Sequence, residues 1–277
     1  MKAFYENRKY HTDIPITLSE IEDLNFLAHW HPDLEIVYVL EGSIRVGINQ
    51  ETHILNKGDL ALCGSNAIHY YDSTGLHSNI IMAIFRLELL KDYYWPNNFI
   101  PESFFLPDLL NINIETQKKI ELLYLSLLEE IKIRDSSYPI FLKCRMMALF
   151  AILMREMPEF VHLVTQNNGK YYEPSEVKPM QEALQYLERN YTQDITLEYL
   201  SSEVNLSKFY LSRLFKRTTG MNFNEYLNRI RTDRAEQMIR NSRKPIIEIA
   251  FENGFNSIRT FNRVFKAIKG CTPLSLR

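Results

Sequence analysis

Cysteine is scarce in this chain. Cys63, Cys144 and Cys271 are widely spaced, and no two of them form a Cys-x-x-Cys pair. That excludes a disulfide framework and a zinc knuckle, and it fits a reducing compartment in which the three are small buried hydrophobes. Long hydrophobic runs are missing too. Residues 1–10 lack the apolar stretch of a signal peptide, and the most apolar segment, residues 140–154, is interrupted by Lys143 and Arg145. The expectation is a soluble, cytoplasmic protein with no membrane partner. An excess of charge of one sign is also lacking: 32 Lys+Arg against 34 Asp+Glu give a formal net charge of −2. Taken whole, that balance argues against a protein that coats nucleic acid or an acidic membrane.

What is present suffices for sizeable cores: of 277 residues, 45% are hydrophobic and 24% charged, and the length suits two domains. Strand patterning runs from about residue 24 to 86. Ile44, Val46 and Ile48 alternate, Asn49-Gln50 suits a hairpin turn, and short runs follow at 52–55, 60–63 and 78–85, which predicts a barrel or sandwich such as a jelly roll. From residue 116 the period changes. Ile120, Leu123, Tyr124, Leu127, Leu128 and Ile131 recur at helical steps, and residues 141–154 form a second amphipathic run. These two helices either cover the barrel or pair two subunits. Residues 165–178, with Asn167-Asn168-Gly169 and Pro174 and with Pro179 directly after, read as a linker, and everything after it reads as helical.

The linker separates two charge regimes. Residues 175–277 carry 17 Lys+Arg against 11 Asp+Glu, a balance of +6, and residues 1–174 carry 15 against 23, a balance of −8. The near-neutral average conceals an acidic half and a basic half.

The basic half repeats itself. Leu211, Arg213, Phe215 and Lys216 recur as Phe261, Arg263, Phe265 and Lys266 at an offset of 50, whereas Leu200 with Ile249 and Leu206 with Phe255 are offset by 49. Each copy has the grammar of a helix-turn-helix. In the first, Thr196 caps a helix carrying Leu197, Leu200 and Val204 inward, Asn205 tolerates a left-handed turn, and Ser207 caps the next helix. In the second, Pro245 starts a helix, Gly254 makes the turn, and Asn256 or Ser257 is the cap. The outer faces are polar and cationic: Lys208, Phe209, Ser212, Arg213 and Lys216, then Ile258, Arg259, Asn262, Arg263 and Lys266. Arg reads guanine bidentately, Asn reads adenine, and Lys and Ser suit phosphates. A connecting helix over 223–239 is about 25 Å long at 1.5 Å per residue, which brings two reading helices toward successive major grooves. A pair of ordinary helical hairpins with a solvated basic face is the bland alternative, and two in-frame copies in a basic domain speak against it.

The residues Ile195-Thr196-Leu197-Glu198, Leu206-Ser207, residues 211–217, Thr219-Gly220, Ile249-Ala250, Gly254-Phe255 and residues 261–266 resemble the DNA-binding domain of the AraC/XylS family of bacterial transcription regulators. Ser201 stands where that family usually has Ala, and Asn205 where it usually has Gly. The resemblance implies double-stranded promoter DNA as partner, an effector such as a sugar or other metabolite, a homodimer, and contact with RNA polymerase. By position it makes Phe209, Ser212, Arg213, Ile258, Arg259, Asn262 and Arg263 the groove-facing residues, with Ser207, Lys208, Lys216, Ser257 and Lys266 beside them. Ile258 suits a thymine methyl or packing equally.

The acidic half has its own constellation. His29, His31, Glu35 and Gly42 match the spacing of the first cupin motif, and His69 falls where the second motif supplies its last ligand. Imidazoles and a carboxylate in that pattern suit Fe, Mn, Zn or Ni. Ser65 and Asn66 replace the Pro and Gly of the enzyme pattern, so a ligand pocket is preferred over a functional metal or purely structural histidines. No cofactor is assigned. Tyr38, Arg45, Tyr70 and Trp95 complete the pocket candidates. The expected architecture is α+β in two domains: residues 1–164 a cupin-like jelly-roll β-barrel with helices over 115–156, and residues 179–277 an all-α domain with helix-turn-helix units at 196–217 and 245–269. The expected function is transcription regulation, as an activator or a repressor, without enzymatic activity. The alternative is a metal-dependent cupin enzyme, a dioxygenase or isomerase, fused to a DNA-binding domain.

Overall fold

A computed structural model describes residues 15–90, 103–106, 114–133, 135–156 and 176–277, and these fall into two compact units that part ahead of residue 174. The first unit holds strands β1 (Ile16–Glu22), β2 (Phe26–His29), β3 (Leu34–Ile48), β4 (Glu51–Asn56), β5 (Leu60–Cys63), β6 (His69–Asp72), β7 (Ser78–Phe85) and β8 (Phe104–Leu106), followed by helices α1 (Ile114–Ile133) and α2 (Tyr138–Glu156). All the pairings are antiparallel. The main path runs β1-β7-β3-β5-β8, and β3 also pairs β4 and β6 while β6 pairs β2.

The 15-residue β3 is the spine of the barrel. Its first half pairs β5 and β7, its second half β4 and β6, and the register with β7 slips between Val39 and Glu41 where the strand turns from one sheet to the other. Gly42 follows the slip. It has φ 72°, and a Cβ there would lie 1.9 Å from the carbonyl oxygen of His77, so backbone approach and conformation both demand glycine. The expected hairpin turn is present: Ile48 faces Glu51, and Asn49 takes φ 54° between them.

Strand alternation sorts β3 into two cores. Val37, Val39, Ile44, Val46 and Ile48 fill the barrel interior with Cys63, Tyr71, Ile80 and Met82. Leu34, Ile36 and Tyr38 point the other way, into a second core completed by Ile120, Tyr124 and Leu127 of α1 and Met146, Leu149 and Phe150 of α2. Of the two roles open to these helices, their apolar stripes therefore cover the barrel. Strand β1, absent from the expected strands, contributes Ile16 and Leu18 to this outer core.

The second unit is helical: α3 (Val177–Asn190), α4 (Leu197–Glu203), α5 (Lys208–Thr219), α6 (Phe223–Asn241), α7 (Ile246–Glu252) and α8 (Ile258–Lys269). Helix α3 starts at Val177, inside the span expected to be linker, because Pro179 sits in its first turn where no backbone donor is required. Residues 165–175 of that linker lie outside the described residues. Asn222 and Glu225 form a reciprocal capping box at the start of α6. Asn205 (φ 54°) and Gly254 (φ 80°) make the two left-handed turns within α4–α5 and α7–α8.

Candidate nucleic-acid interface and barrel site

Helices α5 and α8 are built alike. Ser207 accepts from the backbone N–H of Tyr210, Ser257 accepts from that of Thr260, and each helix stops on a left-handed glycine, Gly220 or Gly270. Leu211, Leu214 and Phe215 of α5 are buried, as are Phe261, Val264 and Phe265 of α8. The opposite faces meet solvent: Lys208, Phe209, Ser212, Arg213 and Lys216 on α5, and Arg259, Asn262, Arg263 and Lys266 on α8. Ile258 differs, being half-buried against the core of the second unit. Packing, rather than base contact, is the role its position fills.

The charges on these faces are not equally available. Lys208 Nζ pairs with Glu198 of α4, and the hydrogen bond from Lys208 holds that carboxyl below its ordinary range. The Arg213 guanidinium lies 5.6 Å from the ring centroid of Phe209, which is 72% exposed, so the aromatic face steadies the arginine without neutralising it. Among the described residues, Lys216, Arg259, Arg263 and Lys266 have no ion-pair partner. By contrast, Lys269, at the end of α8, is engaged by Asp233 at 2.6 Å and Glu236 at 2.5 Å.

In the barrel, His29, His31, Glu35 and His69 come together with their ligand atoms within 4.8 Å of one another, all at most 2% exposed. Tyr38 and Arg45 do not join them. Tyr38 lies on the outer face of β3, stacked on Tyr124 at 4.3 Å with an interplanar angle of 6°, and burial pushes its hydroxyl pKa up to about 12, with Glu121 and Asp59 adding to the shift. Arg45 points outward to Asp72 Oδ2 at 2.6 Å, and Tyr70 covers Gly47 and meets Thr52 Oγ1 at 3.0 Å. Strand parity separates all three from Glu35 and His69. Trp95 lies outside the described residues.

The three imidazoles are oriented identically. Nδ1 lies 2.9 Å from the Leu27 carbonyl oxygen in His29, 3.0 Å from that of Asp33 in His31, and 2.8 Å from that of Ala67 in His69. A carbonyl only accepts, so each Nδ1 donates, which leaves Nε2 as the ring atom available to a ligand. His31 Nε2 donates to Glu35 Oε2 at 3.0 Å, and His69 Nε2 lies 3.5 Å from the same oxygen and has no hydrogen-bond partner among the described residues. Burial lowers His29 well below the usual imidazole range, reinforced by His69, which keeps it neutral and ligand-competent. Burial alone would raise Glu35, yet His69 and His31 outweigh it and hold the carboxyl well below its ordinary range. A buried carboxylate beside three imidazoles, each able to coordinate through Nε2 once that atom is deprotonated, is a donor set that fits a first-row divalent ion.

Two further residues belong to this site. Tyr71 donates to Glu35 Oε1 at 2.5 Å, and the Cys63 sulfur lies 3.6 Å from the Tyr71 hydroxyl. Tyr71 follows His69 by two on β6 and shares its face, a signal present in the residue order. Cys63 stands opposite Glu35 only through the β3–β5 register.

Known proteins resemble both units. The helix-turn-helix domain family matches residues 200–277 and the cupin domain family residues 22–85. The chain is 26% identical over 258 residues to the HTH-type transcriptional activator RhaR of Mannheimia succiniciproducens, covering 91% of this chain and 87% of that protein. It is 36% identical over 98 residues to the regulatory protein PocR of Salmonella typhimurium, covering 35% of this chain and 32% of that protein. It is also 33% identical over 94 residues to the Transposon Tn10 TetD protein of Escherichia coli, covering 34% of this chain and 68% of that protein. Nothing in these relatives supports the fused-enzyme alternative. The serine-capped twin units, their basic outer faces and these likenesses together place the chain in the AraC/XylS family of DNA-binding transcription regulators.

Proposed function

We propose that α5 and α8 enter successive major grooves of promoter DNA and that the protein activates transcription. Arg213, Arg259, Asn262 and Arg263 read base edges, and Phe209 meets a thymine methyl. Ser207, Ser212, Lys216, Ser257 and Lys266 hold phosphates and set the register, while Lys208 stays with Glu198. The carrying observation is that each of two capped helices turns a cationic face to solvent, with Arg213 and Lys216 on α5 and Arg259, Arg263 and Lys266 on α8. Activation is supported by the full-length likeness to RhaR. The test is binding-site selection from random duplexes followed by substitution of each half-site. A site read by only one helix would sink the two-groove reading.

The barrel is the sensing half of this regulator. The His69 Nε2, buried near the Glu35 carboxylate and making no hydrogen bond among the described residues, favours a divalent transition-metal ion as what the site holds, through His29, His31, Glu35 and His69. A sugar-sized effector has no access to side chains at most 2% exposed in this arrangement. Such an ion, when bound, supplies cross-linking charge at the barrel's interior. Metal content of purified protein, with His69→Ala as control, tests the reading, and metal-free wild type after supplemented growth would refute it. Homodimerisation has a surface in Leu122, Leu125, Ile140 and Phe141, apolar side chains of α1 and α2 left exposed. Sedimentation of the full chain tests it. RNA polymerase is the partner that activation requires. Among the described residues no helix is long and apolar enough to cross a membrane.

A further inference from the structure

The two helix-turn-helix units are joined in sequence by α6 alone, yet a second connection exists. Residues 191–193, which lead from α3 into the first unit, are gripped from α6: Arg231 Nε donates to the Tyr191 carbonyl oxygen at 2.7 Å, and its Nη2 donates to that of Gln193 at 2.8 Å. Arg234, one turn of α6 onward, donates to Glu188 Oε2 at 2.7 Å and lies 5.7 Å over the Tyr191 ring. The other side of this segment abuts the turn of the second unit. A Cβ on Gly254 would meet the Tyr191 carbonyl oxygen at 2.8 Å and the Thr192 Cα and carbonyl oxygen at 2.9 Å, all backbone atoms.

The chemistry of the grip is informative. Arg231 spends its donors on two backbone carbonyls, which fixes the path of a segment and not merely a charge. Gly254 brings two backbones closer than any side chain allows, in a left-handed conformation (φ 80°). Helix α6 packs on both units, Tyr226 against Phe215 of α5 and Ala235 and Ile239 in the core around Phe261 and Phe265 of α8, and the grip on residues 191–193 ties the segment leading into the first unit to the same frame. A second contact closes the frame.

We propose that residues 191–193, clamped by Arg231 and abutted by Gly254, form a seam that fixes the spacing and rotation of α5 relative to α8. Arg231 and Gly254 are positioning residues for reading two grooves as one rigid body. The inference rests on the two-groove reading above. A fixed frame settles the orientation of the second helix before binding, so its groove is engaged at high effective concentration. The same frame makes the protein intolerant of altered half-site spacing, since one inserted base pair displaces the second groove by about 3.4 Å and roughly 35°.

The test uses the full chain and a duplex it selects from a random library, with copies carrying one or two extra base pairs between the half-sites and copies keeping a single half-site. Fluorescence anisotropy should show wild type losing about tenfold or more on insertion. Arg231→Ala should lose about tenfold on the unaltered duplex, keep wild-type affinity for single half-sites, and bind all spacings alike. Gly254→Ala should behave similarly, and Arg231→Lys, retaining the charge and part of the donor set, should recover part of the spacing preference. It also serves if Arg231→Ala does not fold. Equal spacing penalties in wild type and in these variants, or matching losses on half-sites and full sites, would overturn the proposal. If wild type ignores substitution of one half-site, the two-groove reading fails first and takes the seam's role with it.

Discussion

The Tyr71 hydroxyl donates a 2.5 Å hydrogen bond to Glu35 Oε1, while the other oxygen of the same carboxylate faces His31 and His69. One carboxylate thus has a structural side and a ligand side. Tyr71→Phe removes the donor and leaves a buried charged oxygen unpaired, so the barrel should lose about 1–3 kcal/mol in urea unfolding. Glu35→Gln should abolish stoichiometric metal, read by elemental analysis, because the site then lacks its only negative ligand. Retained metal in that variant would remove Glu35 from the ligand set.

Arg213→Ala and Arg263→Ala should each cost about 1–3 kcal/mol on the selected duplex and relax base preference at one position. Lys216→Ala and Lys266→Ala should weaken all duplexes alike. Uniform losses in the arginine variants, measured by competition against randomised sites, would show that they hold phosphates instead.

Lys208 is held by Glu198 in the free protein. Glu198→Gln should release it to phosphate and steepen the salt dependence of DNA binding, with the slope of log K against log salt changing by about 0.9. An unchanged slope would mean that Lys208 never reaches the backbone.

Tyr124 is fully buried, its hydroxyl has no hydrogen-bond partner among the described residues, and its ring stacks on Tyr38. Tyr124→Phe keeps the stack and discards a buried polar group, so it should be neutral or stabilise the barrel by up to about 1 kcal/mol. A loss of 2 kcal/mol or more, roughly the worth of a satisfied charged hydrogen bond, would reveal a partner for that hydroxyl.

Local grammar made the helical unit legible. Thr196, Ser207 and Ser257 as caps, Asn205 and Gly254 as turns, and the buried faces of α5 and α8 all follow from residue type and short spacing. The quartet of His29, His31, Glu35 and His69 was legible for a similar reason, as its members sit at motif spacing. The companions of the quartet were harder to read because strand parity and register, not spacing, decide them. Tyr38 and Arg45 were drawn to the pocket by chemistry, yet an even step from Tyr38 never reaches the face of Glu35, and the slip between Val39 and Glu41 resets the parity before Arg45. Ile258 could not be assigned until its contact with the second core was seen. Strand β1 escaped because Ile16 and Leu18 alternate for only three residues before Glu20 ends the pattern.

The twin units are alike in frame and unlike in face. Where α5 starts with Lys208 and Phe209, α8 starts with Ile258 and Arg259, and Ser212 answers to Asn262. If a single chain reads DNA with both helices, as proposed, it has polarity: the stretch it reads is non-palindromic, and turning that stretch around reverses the protein on the duplex. Any surface the regulator offers a neighbour then points upstream or downstream according to the direction in which its operator is written.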